Sequence, residues 1–458
     1  MKSWLFYLIL CAMLLGATPT FAVVQIDLGT TYQIIDGFGA SIASLEEMSE
    51  QEANYFFTTA GMGFTIARTG MNEDGEFQKA GLAHGIYNVP NKDLENAIKV
   101  AKRGAKIMAF VQFAPAAWLD ANGSLLPDYY DEWAVRYSDF LSEASANNIT
   151  ITAFAPSNEP DVNGMGIEFS TAQMYTFVHQ YMKPAIDGST QPNTKIMLTE
   201  CGLSSNLDDY VLPFSTNGHL SDIGYLSHHD YFQSVNFPSV GKRLWLTEAS
   251  SVGGGFDPSM SDALYWAGRI HLAMIGGASA YLYLWLWEPD WYVAFGGYAG
   301  NGGLQGKYGD GRPDAKRLYA FGNYSRFVRP GYKRVSVVGA PANTSISAYS
   351  NGNNEISIVA IATEQTDITF AGLGDNNIAS IWRTSESEDM AQLPHASIIS
   401  GQFSYTLSEG SITTFKIGLL MPPIIKDGNG NVVTGYKKTD GNVDNAILRQ
   451  QEGGIWSE

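Results

Sequence analysis

Residues 149–160 read ITITAFAPSNEP. The first half is an apolar, β-branched run of strand length, bounded by turn formers, and reads as a buried strand. It runs into Ser157-Asn158-Glu159-Pro160, so a strand delivers a carboxylate at its carboxyl end, between an amide and a proline. Taken alone this is an ordinary polar turn, because Asn and Pro both favour turns. The flanking segments decide whether it is more.

Upstream, NKDLENAIKVAKRG (91–104) sets Leu94, Ile98 and Ala101 on one helical face and stops at Gly104, a C-cap signal. The buried strand KIMAFVQFAP (106–115) follows, and DEWAVRYSDFLSEA (131–144) spaces Trp133, Tyr137, Phe140 and Ala144 as a helix does. Downstream, the helix SDALYWAGRIHLAMIGG (261–277) leads into the strand ASAYLYLWLW (278–287). Eight strands are expected near Ile34–Phe38, Phe64–Arg68, Lys106–Ala114, Ile149–Pro156, Lys195–Thr199, Ile223–His229, Arg243–Thr247 and Ala280–Trp287. Eight βα units over this length predict an α/β fold, a (β/α)8 TIM barrel. The alternative, an open doubly wound sheet, lacks a Gly-rich phosphate turn after the first strand.

The texture changes after residue 330. Short β-rich runs (SISAYS, EISIVAIAT, TDITFAGL, SITTFKIGL) alternate with turn clusters such as NGNN, which predicts an all-β side domain, a β-sandwich. The early VVQIDL can add a strand to it. The expected domains are therefore a signal peptide at 1–22, an N-terminal strand at 23–32 joining the side domain, the catalytic barrel at 33–330, the β-sandwich at 331–418, and a linker or tail at 419–458. DGNGNVVTGYKK in the tail is not a calcium loop, since Val432 and Lys438 stand where Gly and Glu are required.

Of the 458 residues, 45% are hydrophobic and 16% charged, a soluble globular composition. Lys+Arg 28 against Asp+Glu 46 leaves a net charge of −18, which argues against a nucleic-acid partner. The opening MKSWLFYLILCAMLLGATPTFA has a lysine, an apolar run from Trp4 to Leu15 and a small-residue end, and reads as a secretory signal cut near Ala22. A secreted or periplasmic protein, not attached to a membrane after signal removal, is expected. Leu10 before Cys11 is unlike a lipoprotein site, and the remaining Cys201 has no cysteine to pair with. A monomer without cofactor is expected.

In a barrel, catalytic residues sit at the carboxyl ends of strands. Glycoside hydrolysis needs two carboxyl groups across the scissile bond, so Glu159 needs a partner at another strand end. IMLTECG offers Glu200 and LWLTEAS offers Glu248. Glu248 ends the seventh strand, across the mouth from the fourth, at a separation of 248 − 159 = 89 residues. It is assigned as nucleophile, Glu159 as acid/base and Glu200 as support. Burial and the nearby charge of Glu248 would raise the pKa of Glu159 and keep it protonated. Arg68, ending the second strand, would supply positive charge to Glu248, and Tyr231 in HHDY its hydroxyl. Asn158 would hold the sugar 2-hydroxyl. The plainer alternatives are a surface ion-pair Arg68, a core Tyr231 and a turn-forming Asn158. His228 and His229 alternate faces on a strand, so they cannot share a metal ion, and no metal is expected.

These motifs together resemble glycoside hydrolase family 30: IDGFGAS (35–41), FAPAAWL (113–119), SNEPD (157–161), WLTEAS (245–250) and YSRFVRPGYKRV (324–335), in order across about residues 24 to 418. NEP alone is widespread among barrel glycosidases, whereas GFGAS with SRFVRPGY is more specific. The resemblance implies a retaining mechanism on Glu159 and Glu248 and a side β-domain that includes the N-terminal strand. It also implies sugar-binding aromatics at Trp118 and at Trp285 on the eighth strand, with core packing as the alternative for either; Trp287, of the same strand parity as Trp285 but further out, reads as a neighbouring subsite or a barrel cap.

Glucuronoxylan-specific members grip the acidic side group with an arginine in the loop after the eighth strand. Here residues 288–310, EPDWYVAFGGYAGNGGLQGKYGD, contain no arginine, while Glu288 and Asp290 are acidic and Trp291, Tyr292 and Tyr298 are suited to stacking on sugar rings. The substrate-binding set is thus Asn158, Arg68, Trp118, Tyr231, Trp285 and Trp291. The expected function is an endo-β-1,4-xylanase on xylan without strict glucuronate dependence. The alternatives are another β-glycan substrate (β-1,6-glucan, β-1,6-galactan, or exo-release of xylose or glucose) and a non-catalytic carbohydrate-binding protein.

Overall fold

The computed structural model describes residues 21–78, 92–231, 239–251, 255–289, 302–307, 314–353, 355–374 and 378–418, with short strands at 449–450 and 456–457. The signal segment up to residue 20, Trp291 with its loop neighbours, and nearly all of the tail lie outside these residues. Among the described residues no helix is long and apolar enough to cross a membrane.

After β1 (Ala22–Ile34), eight strands close into a barrel: β2 (Gly37–Ser41), β3 (Ile66–Met71), β4 (Lys106–Val111), β5 (Ile151–Phe154), β6 (Lys195–Cys201), β7 (Ile223–His228), β8 (Arg243–Leu246) and β9 (Ala280–Tyr283). The ring shuts where Gly37 pairs in parallel with Ala280. The first barrel strand starts at Gly37 rather than Ile34, because Ile34 is still paired with Lys333 in the side domain.

Side chains alternate across each strand, and the inward set fills the barrel. Ile66, Met108, Phe110, Ala153, Met197, Tyr225, Trp245 and Leu282 form one buried cluster there, with small and large residues offset. Continuing by twos, Ile66 leads to Arg68, Tyr225 to Ser227 and His229, and Trp245 to Thr247, so polar groups form the next layer toward the mouth. Outward-facing residues meet the helices. Helix Tyr130–Ala146 buries Tyr130, Trp133, Ala134, Tyr137, Phe140, Leu141 and Ala144, a three- and four-residue spacing that turns one stripe to the strands. Each such large apolar side chain contributes roughly 1.5–3 kcal/mol when buried.

The eighth strand stops at Tyr283, short of Trp285. The chain leaves the ring and forms β10 (Trp285–Glu288), paired in parallel with β11 (Gly303–Lys307). Glycine permits this contact: a Cβ on Gly303 would stand 2.4 Å from the Glu288 nitrogen and 2.6 Å from the Trp287 Cα. Trp287 accordingly lies in the core. Its Nε1 donates to Glu46 at 3.0 Å and its ring meets Phe56, so it caps the barrel.

The side domain is one nine-stranded sheet built from β12 (Lys333–Val338), β13 (Thr344–Ser350), β14 (Ile356–Ala362), β15 (Thr366–Ala371), β16 (Ile378–Ser385), β17 (Glu388–Ser397), β18 (Gln402–Leu407) and β19 (Ser411–Ile417), with β1 between β12 and β15. β19 and β15 lie five places apart in that order, about 24 Å if the sheet were flat at ~4.8 Å per strand. The rings of Phe415 and Phe370 nevertheless stand 5.0 Å apart, so the sheet folds over on itself around Phe370, Phe403 and Phe415 as a sandwich does. The buried helix Lys316–Ser325 joins it to the barrel: Asn323 donates to Thr384 (2.6 Å) and its carbonyl accepts from Thr414 (2.8 Å).

At the foot of the barrel the Asp36 carboxylate accepts from Lys106 (2.9 Å), Arg243 (2.6 Å) and the buried Trp245 Nε1 (2.9 Å). These groups start β4 and β8 and lie just before β2, on the face where barrels invest in stability. Lys106 and Arg243 are partly solvated, so most of the cost of Asp36→Ala comes from stranding the indole N–H, about 1–3 kcal/mol. Thermal unfolding should move down by several degrees while turnover at low temperature is kept; an unchanged melting temperature would contradict this.

Candidate active site

Three glutamates meet at the mouth. Glu159 follows β5, in a turn held by the Asn158 N–H on the Val111 carbonyl (2.7 Å) and the Glu159 N–H on the Glu200 carbonyl (2.9 Å). Glu200 lies within β6 and Glu248 just beyond β8. Glu159 and Glu200 have φ of 40° and 64°, a left-handed backbone uncommon outside glycine and concentrated at functional sites. Glu159 and Glu248 each bring an oxygen within 4.8 Å of the other and of a His229 ring nitrogen. Retaining glycosidases hold their carboxyl groups roughly 5–5.5 Å apart, and inverting ones roughly 6.5–9.5 Å.

Arg68 lies behind this pair. Its Nη1 donates to Glu248 Oε2 (2.7 Å), its Nε to Glu200 Oε2 (3.0 Å) and its Nη2 to Asn158 Oδ1 (2.6 Å). The guanidinium is buried over the Phe110 ring, 3.6 Å from its centre. Arg68 therefore holds the proposed nucleophile, as the charge argument required; a place on the sugar, also expected for it, does not fit a cation enclosed by those partners. Tyr231 donates to the other oxygen of Glu248 at 2.5 Å. Burial and then the charge of Glu248 push the Tyr231 hydroxyl well above its usual range, so it stays a donor.

The expected rise in the Glu159 pKa is not what the site produces. Burial raises it, but the His229 hydrogen bond and the charges of His229 and Arg68 outweigh burial and hold the carboxyl below the usual range. His229 Nδ1 stands 2.7 Å from Glu159 Oε1 and 3.7 Å from Glu248 Oε1. Burial disfavours the imidazolium, yet Glu248, Glu159 and Glu200 raise its pKa to about 10. The proton expected on Glu159 is thus held by His229, across the hydrogen bond from that carboxyl. Reading His229 only as a possible metal ligand missed this; its inward parity with Tyr225 and Ser227 was the available signal. Glu159, His229 and Glu248 are close enough to hold an ion, but a ligating imidazole must be neutral and Arg68 supplies the charge here, so the set does not fit a metal.

The other candidates separate. Asn158 is buried; its Oδ1 is on Arg68, and its Nδ2 donates to the Met165 carbonyl (2.9 Å), leaving one amide hydrogen for a ligand. Trp118 follows β4, stacked on Tyr129 at 5.2 Å, and forms part of the loop wall. Trp285 lies on β10, at the mouth but outside the eighth barrel strand, against Gly302, whose Cβ would come within 3.0 Å of the indole. Sequence reading also missed Gly202: a Cβ there would stand 3.1 Å from the Glu159 carboxyl carbon and 2.6 Å from Val162 Cγ2.

No family model matches the chain. It is 25% identical over 434 residues to the glucuronoxylanase XynC of Bacillus subtilis (strain 168), covering 88% of this chain and 94% of that protein. Among solved structures, a GH30 endoxylanase from Clostridium papyrosolvens C71 matches with TM-score 0.70 at 26% identity, over 86% of this chain and 100% of the other. Xyn30A, a glycoside hydrolase family 30 subfamily 8 xylanase from Clostridium acetobutylicum, matches with TM-score 0.72 at 26% identity, over 86% and 99%. Over most of its length the chain is thus similar, in sequence and in fold, to xylanases of glycoside hydrolase family 30.

The glycine at 202 lets the turn after β6 come up against the Glu159 carboxyl without displacing it. Gly202→Ala should leave the circular dichroism spectrum unchanged and lower kcat about tenfold or more, since a displacement near 1 Å at a catalytic group costs up to about 100-fold. Unaltered turnover would show that the carboxyl tolerates the added methyl group.

Proposed function

We propose that this chain is an exported retaining endo-β-1,4-xylanase that cleaves the xylan main chain without strict dependence on glucuronate. The observation that carries the mechanism is the 4.8 Å limit on the Glu159 and Glu248 oxygens, which leaves no room for the water that inversion places between the carboxyl groups. Glu248 attacks the anomeric carbon while Glu159 protonates the departing oxygen. The glycosyl–Glu248 ester is then opened by a water that gives its proton to Glu159, and configuration is retained. The Glu159–His229 pair supplies and recovers that proton.

The relatives named as xylanases and glucuronoxylanase support xylan as the substrate class. The name glucuronoxylanase favours a second reading, in which a glucuronate side group is required. Against it stands the loop 288–310, which carries acids and no arginine. Export rests on the opening 22 residues. Initial rates on neutral xylan and on glucuronoxylan, with product sizes by mass spectrometry, decide the specificity; faster cleavage of glucuronoxylan would overturn the neutral-chain reading.

Glu159→Gln should lower kcat on xylan by about 10²–10⁴. Azide should restore turnover to Glu248→Ala and give a product of inverted configuration; a retained product there would remove Glu248 from the nucleophile role. Turnover needs one proton on the Glu159–His229 pair, and that proton leaves as pH rises toward the His229 value of about 10. His229→Asn removes the reservoir, so the basic limb of kcat/KM should move to lower pH by about one unit or more. An unmoved basic limb would assign the proton to another group.

A further inference from the structure

We propose that Glu200 is a positioning residue: it makes no bond to substrate but sets the direction in which Arg68 presents its donors to Glu248 and Asn158. The inference rests on the retaining reading above. It begins with the side chain's enclosure. Glu200 is 0% exposed, against 8% for Glu248 and 5% for Glu159. Its Oε1 accepts from Thr247 Oγ1 (2.5 Å), and its Oε2 takes both Nε (3.0 Å) and Nη2 (2.9 Å) of Arg68. A carboxylate so enclosed cannot reach an anomeric carbon.

A guanidinium is rigid and planar, so its donors move together. The Phe110 ring, 3.6 Å beneath, fixes the plane of Arg68. Glu200 fixes the rotation within that plane by holding the Nε–Nη2 edge. Nη1 is then committed to Glu248 Oε2 (2.7 Å), while Nη2 also reaches Asn158 Oδ1 (2.6 Å). The backbone of Glu200 ties in the remaining partners: its carbonyl accepts the Glu159 N–H (2.9 Å) and its N–H donates to Ser227 Oγ (2.9 Å).

A purely neutralising role explains less. Arg68 already has Glu248 as counter-ion, and fully burying another carboxylate costs several kcal/mol unless its geometry is well satisfied. Facing Glu200 are Arg68 from β3, Glu159 and Asn158 from the turn after β5, Ser227 and His229 (Nε2 at 3.6 Å) from the end of β7, and Thr247 and Glu248 from the end of β8. The set holds three carboxyl groups and two basic side chains. Burial pushes Glu200 up, but Arg68, His229 and Thr247 bring it down to about 2, so it stays charged through the working range.

Two substitutions separate its charge from its reach. Glu200→Gln is near-isosteric and removes the charge, so every remaining acid in the set gives up its proton more readily. Both limbs of the kcat/KM profile should move to lower pH, and kcat should fall about 10- to 100-fold with little change in KM. Glu200→Asp keeps the charge and shortens the arm; kcat should fall similarly with the limbs in place. A 2-fluoro xylobioside with a good leaving group, followed by peptide mass spectrometry, should still label Glu248 in both variants. Wild-type kcat and unmoved limbs in Glu200→Gln, with labelling intact, would overturn the positioning role alone. Absence of labelling and an inverted product in the unmodified enzyme would overturn the retaining reading instead. If both Glu200 variants fail to fold, Thr247→Val removes one hydrogen bond to Glu200 and leaves the charges in place. It should lower kcat about three- to tenfold without moving the limbs, and a wild-type kcat there would count against the proposal.

Discussion

The mouth of the barrel is organised by one buried cation. Arg68 lies inside the ring of strands with its donors aimed at groups from three other segments: Glu200 on β6, Glu248 beyond β8 and Asn158 after β5. An uncompensated charge in that position would cost several kcal/mol, so the guanidinium is tolerable only when those segments are in register around it. The barrel must close for the charge to be neutralised. The same closure brings the carboxyl groups of Glu159 and Glu248 together.

A second cation completes the balance. Three glutamates crowd a space with little water, where like charges a few ångströms apart interact by several kcal/mol at an effective dielectric near 20. Arg68 offsets part of this, and His229, held charged by its carboxylate neighbours, offsets more. The proton of the Glu159–His229 pair thus sits on the imidazole, across a hydrogen bond 2.7 Å long, rather than on an isolated acid. The backbone participates too. Glu159 and Glu200 both take left-handed conformations, and Gly202 leaves the gap into which the Glu159 carboxyl fits.

Much of the architecture was legible because the signals are periodic. Apolar runs marked the barrel strands, three- and four-residue spacing marked helices such as Tyr130–Ala146, and the strand-end rule pointed to Glu159 and Glu248. Periodicity left some choices open. Trp287 shares parity with Trp285 and could be read as a further subsite or a barrel cap; the eighth strand breaks at Leu284 and Trp287 turns into the core against Glu46 and Phe56, as a cap does. His228 and His229 were read as neighbours on opposite faces, which is correct, yet the partners of the inward one could not be read from the chain. They are separated from His229 by 70 residues for Glu159 and 19 for Glu248.

The amino-acid sequence by itself determined the alternation of strand and helix, the change to β-rich texture after residue 330, and the two glutamates at strand ends, because each depends on residues close together along the chain. The tertiary structure alone decided which group holds the proton, what Arg68 touches, how closely residue 202 approaches the Glu159 carboxyl and where the eighth strand ends. Those properties depend on burial and on distances of a few ångströms between segments far apart in sequence. No local pattern encodes them, since the charge state of Glu159 depends on an imidazole that only the closed ring of strands brings beside it.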